Sequence, residues 1–172
     1  MIYRSKEVIE DINVPNDPAY LAEVRDILAN KEVQSMSGFI QHGSTTCLEH
    51  SINVSYLTYL YCKEHGMDAR AAARAGLLHD LFLYDWHQHY VRRKGEALHG
   101  FSHPRRALEN AQKAFSLTAK EKNMILRHMW PLTVIPPKYK EGFVLLWYDK
   151  YCSMNETMRR TVLAFHEAPS RA

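Results

Sequence analysis

The sequence predicts an all-α domain, a single bundle of six to seven helices. Three observations predict it. Apolar residues recur at helical spacing between residues that cap helices. No stretch sustains the two-residue alternation of a half-buried strand. No repeat, low-complexity tract or interdomain linker interrupts the 172 residues. That length fits one domain, 1–172, able to bury its own core.

The first predicted helix spans about 17–36. Asp17 is a capping residue and Pro18 occupies the first helical position, where its missing N–H costs nothing. Leu21, Val24, Ile27 and Leu28 then form one apolar face. After a loop over 37–44, a helix runs from about Thr45 to His65. Thr46 and Glu49 have the capping-box form, and Gly66 sits where a C-terminal glycine belongs. Asp68 caps an alanine-rich helix reaching about His79. Residues 81–100 are aromatic, charged and irregular, and predict a long ordered loop or lid. Ser102 is the expected cap of a helix to about Phe115, with Pro104 in its first turn. Thr118 and Glu121 form a second capping box, for a helix ending at Trp130-Pro131. The last strong helix covers about 139–154, followed by a helical tail over about 156–166. The core of the domain is expected over about 45–154.

Bulk properties narrow the function classes. No apolar run has the length of a membrane span, and Met1–Glu10 is too charged for a signal peptide. The expectation is a soluble, cytoplasmic protein with no membrane partner. The three cysteines, Cys47, Cys62 and Cys152, are odd in number and widely spaced. They form neither a disulfide framework nor a zinc knuckle. A net charge of +3 is too small to imply a nucleic-acid polymer as partner. Arg92-Arg93-Lys94 and Arg105-Arg106 are local basic clusters suited to phosphate. Ten histidines stand out, because imidazole is the commonest metal ligand and a frequent acid–base group.

Their placement is informative. His50 shares a helix face with Val54, Leu57 and Tyr61. His79 and Asp80 end the alanine-rich helix. His103 begins a later helix, and His128 ends the next. Asp149 directly follows Phe143–Tyr148, the most apolar helical stretch in the chain. A buried carboxylate must be paired or bind a cation, because desolvation otherwise costs several kcal/mol or more. An ion pair with Lys150 or an arginine would satisfy Asp149 as well. A hydrogen-bonded core histidine would account for His50 taken alone.

Taken together, His50, the His79–Asp80 doublet and Asp149 resemble the HD superfamily of metal-dependent phosphohydrolases. The supporting segments are Cys47-Leu48-Glu49-His50-Ser51, Ala75-Gly76-Leu77-Leu78-His79-Asp80 and Trp147-Tyr148-Asp149-Lys150. The resemblance implies an all-α HD-type core in which these four residues hold a metal. His103 and His128 fall where two-metal members carry further histidine ligands. By that resemblance, Asp80 is the catalytic residue that bridges to a second ion held by His103 and His128. The implied cofactor is a divalent transition metal, two ions of iron, manganese, nickel, cobalt or zinc. The implied reaction is attack of metal-activated water on a phosphoester or phosphoanhydride. The substrate would be a small phosphorylated molecule such as a nucleotide. Arg105, Arg106, Arg127, Lys150 and His42 are the substrate-binding candidates. Asp85, His87, His89, His42 and His99 are candidates for the acid that protonates the leaving group.

One departure limits the transfer. Many members carry a lysine-containing HDxGK motif or a glutamate three residues after the doublet, and Leu83 stands there. The GYP extension of cyclic-di-GMP phosphodiesterases is missing too. The layout is most similar to the bacterial branch that includes symmetrical diadenosine tetraphosphate hydrolases. Two other functions fit the same ligand order: a di-iron oxygenase and a non-catalytic metal- or ligand-binding module. A homodimer is a further expectation.

Overall fold

The computed structural model describes residues 14–84, 95 and 98–167, with side chains as far as 158. Seven helices and one minimal hairpin form the described part of the chain, as the all-α expectation requires. The helices are α1 (Pro18–Leu28), α2 (Lys31–Gln34), α3 (Cys47–Glu64), α4 (Ala69–Leu78), α5 (His99–Ala114), α6 (Ala119–Arg127) and α7 (Lys140–Glu167). A short 3-10 turn, Ser35–Gly38, precedes strands β1 (Ile40–His42) and β2 (Thr45–Thr46), which pair antiparallel. None of the described helices is long and apolar enough to cross a membrane.

Local hydrogen bonding sets most helix starts. The Asp17 carboxylate accepts from the Ala19 and Tyr20 amides at the head of α1. The Thr46–Glu49 box opens α3, and the Thr118–Glu121 box opens α6, each with both reciprocal bonds formed. Asp68 accepts from the Ala71 amide at the start of α4. Each arrangement satisfies amides that have no partner inside the helix.

Four boundaries differ from the sequence expectation. The first helix stops at Leu28 instead of continuing to Met36, because the Asn30 side chain accepts from the Glu32 and Val33 amides and restarts the chain as α2. The expected loop over 37–44 contains β1 and the hairpin turn at Gly43, with φ +63°, and β2 takes the Thr45–Thr46 start expected of the next helix. The hairpin is too short to show a period of two. Helix α5 begins at His99, not at Ser102, which is buried within it. Pro104 therefore lies inside the helix, where its missing N–H leaves the Gly100 carbonyl without the usual helical bond. Finally, α7 runs unbroken through 155. Ser153, Asn155 and Thr157 bond back to carbonyls four residues earlier within it, so their polar groups are accommodated without a break. Asp85, His87, His89 and Arg92-Arg93-Lys94 lie outside the described residues.

Helices α3 and α4 form the most extensive pair. Their contact is close because Gly76 has no Cβ: one placed there would lie 2.6 Å from the Ser55 Cα. The Ser55 hydroxyl donates to the Ala73 carbonyl at 2.6 Å and accepts from the Tyr20 hydroxyl at 2.9 Å, joining α1, α3 and α4. Arg74, itself buried, fastens the same region. It donates twice to Asp26 on α1 and lies 3.2 Å from the buried Glu121 on α6. This rigid frame carries His50 on α3 and His79–Asp80 at the end of α4. Helices α5, α6 and α7 close over them.

Candidate metal centre

Four histidines and two aspartates converge from the C-terminal ends of α4 and α6, the first turns of α3 and α5, and the N-terminal half of α7. All six are buried, with relative exposures from 0% to 5%. His50, His79 and Asp80 form one group with ligand atoms within 4.8 Å of one another. Asp80, His103 and His128 form another, and His79, His128 and Asp149 a third.

The imidazoles are oriented from behind. His79 Nδ1 is 2.7 Å from the Gly76 carbonyl, His128 Nδ1 2.8 Å from that of Ile125, and His103 Nδ1 3.0 Å from that of His99. His50 Nδ1 lies 2.8 Å from Glu156 Oε2. A carbonyl or carboxylate accepts only, so each Nδ1 carries the proton and each Nε2 is left facing inward. For His79 and His128 the partner is a carbonyl three residues earlier near a helix C-terminus, where carbonyls lack helical partners; for His103 it is the carbonyl four residues earlier, at the first residue of α5.

Around Asp80 the inward atoms sort into two sets. Its Oδ2 is 3.4 Å from His79 Nε2 and 4.0 Å from His50 Nε2. Its Oδ1 is 3.3 Å from His103 Nε2 and 3.6 Å from His128 Nε2. Asp149 Oδ1 joins the first set, 3.3 Å from His50 Nε2 and 3.7 Å from His79 Nε2. Asp149 Oδ2 accepts from Lys150 at 2.6 Å. The Lys150 pair foreseen for this carboxylate therefore exists, but it occupies one oxygen and leaves the other facing the histidines.

Several features fit a bound cation. His79 Nε2 and Asp80 Oδ1 are buried without a hydrogen-bond partner, a costly condition unless something positive satisfies them. His103 Nε2 and His128 Nε2 stand 2.9 Å apart with both Nδ1 protons directed elsewhere. Two nitrogens at about 2.1 Å from one ion and at right angles to each other would be about 3.0 Å apart. The donor set, imidazole nitrogen with carboxylate oxygen, suits divalent transition ions.

The electrostatics agree. Burial opposes charge on His50, but its bonds to Asp149 and Glu156 outweigh this and lift it to about 10. His79 is also raised, burial being overcome by Asp80 and Asp149. Both aspartates stay ionised: burial works against them, yet the surrounding imidazoles hold them well below the usual carboxylate range. His128 goes the other way, pushed to about 3 by burial and then by His103 and His79. The centre favours positive charge at His50 and His79 while keeping His128 neutral.

A family model described as HD domain matches residues 47–134, just over half of the chain. The chain belongs to the HD domain family. The family consists largely of metal-dependent hydrolases, and its members bind divalent metals. The matched span contains His50, His79, Asp80, His103 and His128, and stops short of Asp149. No curated protein and no solved structure matches the chain.

A cavity of about 530 Å³ opens onto this HD-domain centre. Asp80, His103, His128 and Asp149 form its floor, with Gln41, His42, His99, Met129, Lys150 and Ser153 among its walls. Of the substrate-binding candidates, His42 and Lys150 line it, whereas Arg105, Arg106 and Arg127 are not among its described lining residues. Arg105 is exposed, and Arg106 lies over the Tyr84 ring, 4.8 Å from its centre. His99 lines the cavity, with its Nδ1 2.8 Å from the Tyr84 hydroxyl.

Two residues of the site had no place in the sequence reading. Gln41, on β1, donates from Nε2 to Asp80 Oδ2 and accepts from the Cys47 thiol. Glu156 supports His50 from α7, and Asn53 donates to its other oxygen at 3.4 Å. A signal for Glu156 exists: it follows Asp149 by seven residues, two turns along the same helix face. Gln41 sits in an irregular stretch and carries no such signal.

Proposed function

We propose that this HD-domain chain is a phosphohydrolase with two divalent metal ions, acting on a small phosphorylated molecule such as a nucleotide. His50, His79, Asp80 and Asp149 hold one ion, and Asp80, His103 and His128 hold the other. The observation that carries this reading is the division at Asp80, where each carboxylate oxygen faces a different pair of imidazole nitrogens. A divalent pair bound here supplies an acidified water as nucleophile and Lewis-acid polarisation of the phosphoryl group.

The remaining work falls to the chain's own side chains. Gln41 holds Asp80 Oδ2 and so restrains its rotation. Glu156 fixes the His50 ring and makes it a stronger donor. Lys150 stands at the cavity wall with its ammonium on Asp149, placed to neutralise an entering phosphate. His42, whose ring is 5.3 Å from that of His50, also lines the cavity. Burial, followed by repulsion from His50, lowers its pKa. It therefore enters the reaction neutral, as a hydrogen-bond partner of substrate. The walls limit water access and orient a bound phosphoester against the metal face.

The test combines metal content with activity. Protein loaded anaerobically with manganese or iron is expected to hold two ions per chain by elemental analysis. His103→Ala with His128→Ala should hold one, and Asp80→Ala none. A phosphatase and phosphodiesterase screen with nucleotides and dinucleotides should show activity that Asp80→Ala abolishes. Full activity in Asp80→Ala would refute the proposal. Oxygen consumption by the iron form, without phosphate release, would move the assignment to an oxygenase.

A further inference from the structure

Helix α7 buries one side and exposes a continuous apolar stripe on the opposite side. Its inner stripe, Leu145, Asp149, Cys152 and Glu156, is buried and carries part of the metal centre. Its outer stripe is Phe143, Trp147, Tyr151, Met154 and Met158, with relative exposures of 44%, 68%, 47%, 58% and 57%. At 100° per residue the two stripes lie about 170° apart. A helix that already docks on its own bundle through one face thus carries a continuous apolar stripe on the other.

The outer stripe has an internal order. Its N-terminal half is aromatic and its C-terminal half is methionine. Its midpoint falls between residues 150 and 151. If two such helices pack antiparallel about that midpoint, Phe143 of one copy faces Met158 of the other, and Trp147 faces Met154. The two Tyr151 side chains flank the axis. Both off-axis pairs are then sulfur against aromatic ring, a favourable pairing, and the patch is self-complementary as a two-fold interface requires. Parallel packing would set aromatic on aromatic and methionine on methionine at each level. Lys150, also near the midpoint, is engaged by its own Asp149 and lies on the flank of the stripe.

The area, about 1,100 Å² for two copies, clears the roughly 1,000 Å² lower bound for a specific interface. At roughly 200 Å² per large side chain, the five residues expose on the order of 550 Å² per copy. The Trp130 ring edges onto Phe143 and leads into a connection that exposes Val134 and Ile135, which adds to the patch. A standard interface buries about 800 Å² on each partner. We propose that the outer face of α7 binds a second copy of this chain in an antiparallel, two-fold arrangement centred between residues 150 and 151.

Analytical ultracentrifugation of the full chain from about 1 to 100 μM should give a species of twice the 20.0 kDa chain mass. Trp147→Glu and, separately, Met154→Glu should weaken association at least about 30-fold. Both should keep far-UV circular dichroism and metal content, since neither side chain enters the core or the centre. Mild oxidation distinguishes the arrangement, with the buried native cysteines contributing little background. Tyr151→Cys lies beside the axis and should form an inter-chain disulfide. Phe143→Cys, about 22 Å from its copy along the helices, should not. A monomer throughout the concentration range overturns the proposal, and so does a dimer that survives both glutamate substitutions. Equal cross-linking at 143 and 151 overturns the antiparallel arrangement.

Discussion

Replacing Gly76 by alanine tests the frame that holds the centre. Intrinsic helix propensity favours the change, because alanine in a helix interior is about 1 kcal/mol better than glycine. Packing opposes it. The new Cβ would lie 2.6 Å from Ser55 Cα, 3.1 Å from Ser55 N and 3.2 Å from Ser55 Cβ. Carbon atoms in contact prefer about 3.5–4.0 Å, so α3 and α4 must separate by about 1 Å at their tightest point. Overpacking of this kind costs about 1–3 kcal/mol. The separation also stretches the Ser55 bonds to Ala73 and Tyr20. The expected net loss is about 1–2 kcal/mol after the propensity gain, a fall in Tm of roughly 2–8 °C for a chain of this size. Thermal unfolding followed by circular dichroism, with chelator present, measures it. Ser55→Gly should not rescue the variant, because the clash is with backbone atoms. A Tm equal to or above that of the parent would refute the packing argument. The Gly76 carbonyl orients His79, so metal affinity should fall in parallel.

Other perturbations probe the second layer and the frame. Glu156→Ala removes the acceptor for His50 Nδ1 and should weaken metal binding about 10- to 100-fold, read by competition with a chromophoric chelator. Glu156→Gln should recover part of the loss, since the amide oxygen still accepts. Arg74→Met leaves the buried Glu121 without its guanidinium partner and should cost about 3 kcal/mol in denaturant unfolding. Asp26→Asn should show a pH signature. The hydrogen bond from Arg74 lowers the Asp26 pKa below 3.8. The stability it confers is thus fully present above about pH 4 and is lost as pH falls through the folded-state value. The parent-minus-variant difference should be flat from neutral pH down to about 5 and shrink in more acid solution. It should be small throughout, because the Asp26 side chain is 56% exposed.

What the sequence by itself determined are features whose physics is local. The capping boxes at Thr46–Glu49 and Thr118–Glu121, and the caps at Asp17 and Asp68, close hydrogen bonds across three residues or fewer. Their pattern is readable without knowing what packs where. The same holds for the apolar periodicity of α1, and for the anomaly of Asp149 beside an apolar run. At the end of α1 a competing local bond prevailed. Asn30 restarted the chain through bonds to the Glu32 and Val33 amides.

Only the tertiary structure decided how the site is wired. Gln41 meets Asp80 across 39 residues, and Glu156 meets His50 across 106. Each contact depends on where whole helices lie, so no spacing in the chain encodes it. The same applies to the two oxygens of Asp80, which face different imidazole pairs because α3 and α4 lie on one side and α5 and α6 on the other. The sequence names the chemistry available. Packing sets the direction of each nitrogen and oxygen, because the energy of a buried polar atom depends on the one neighbour it faces.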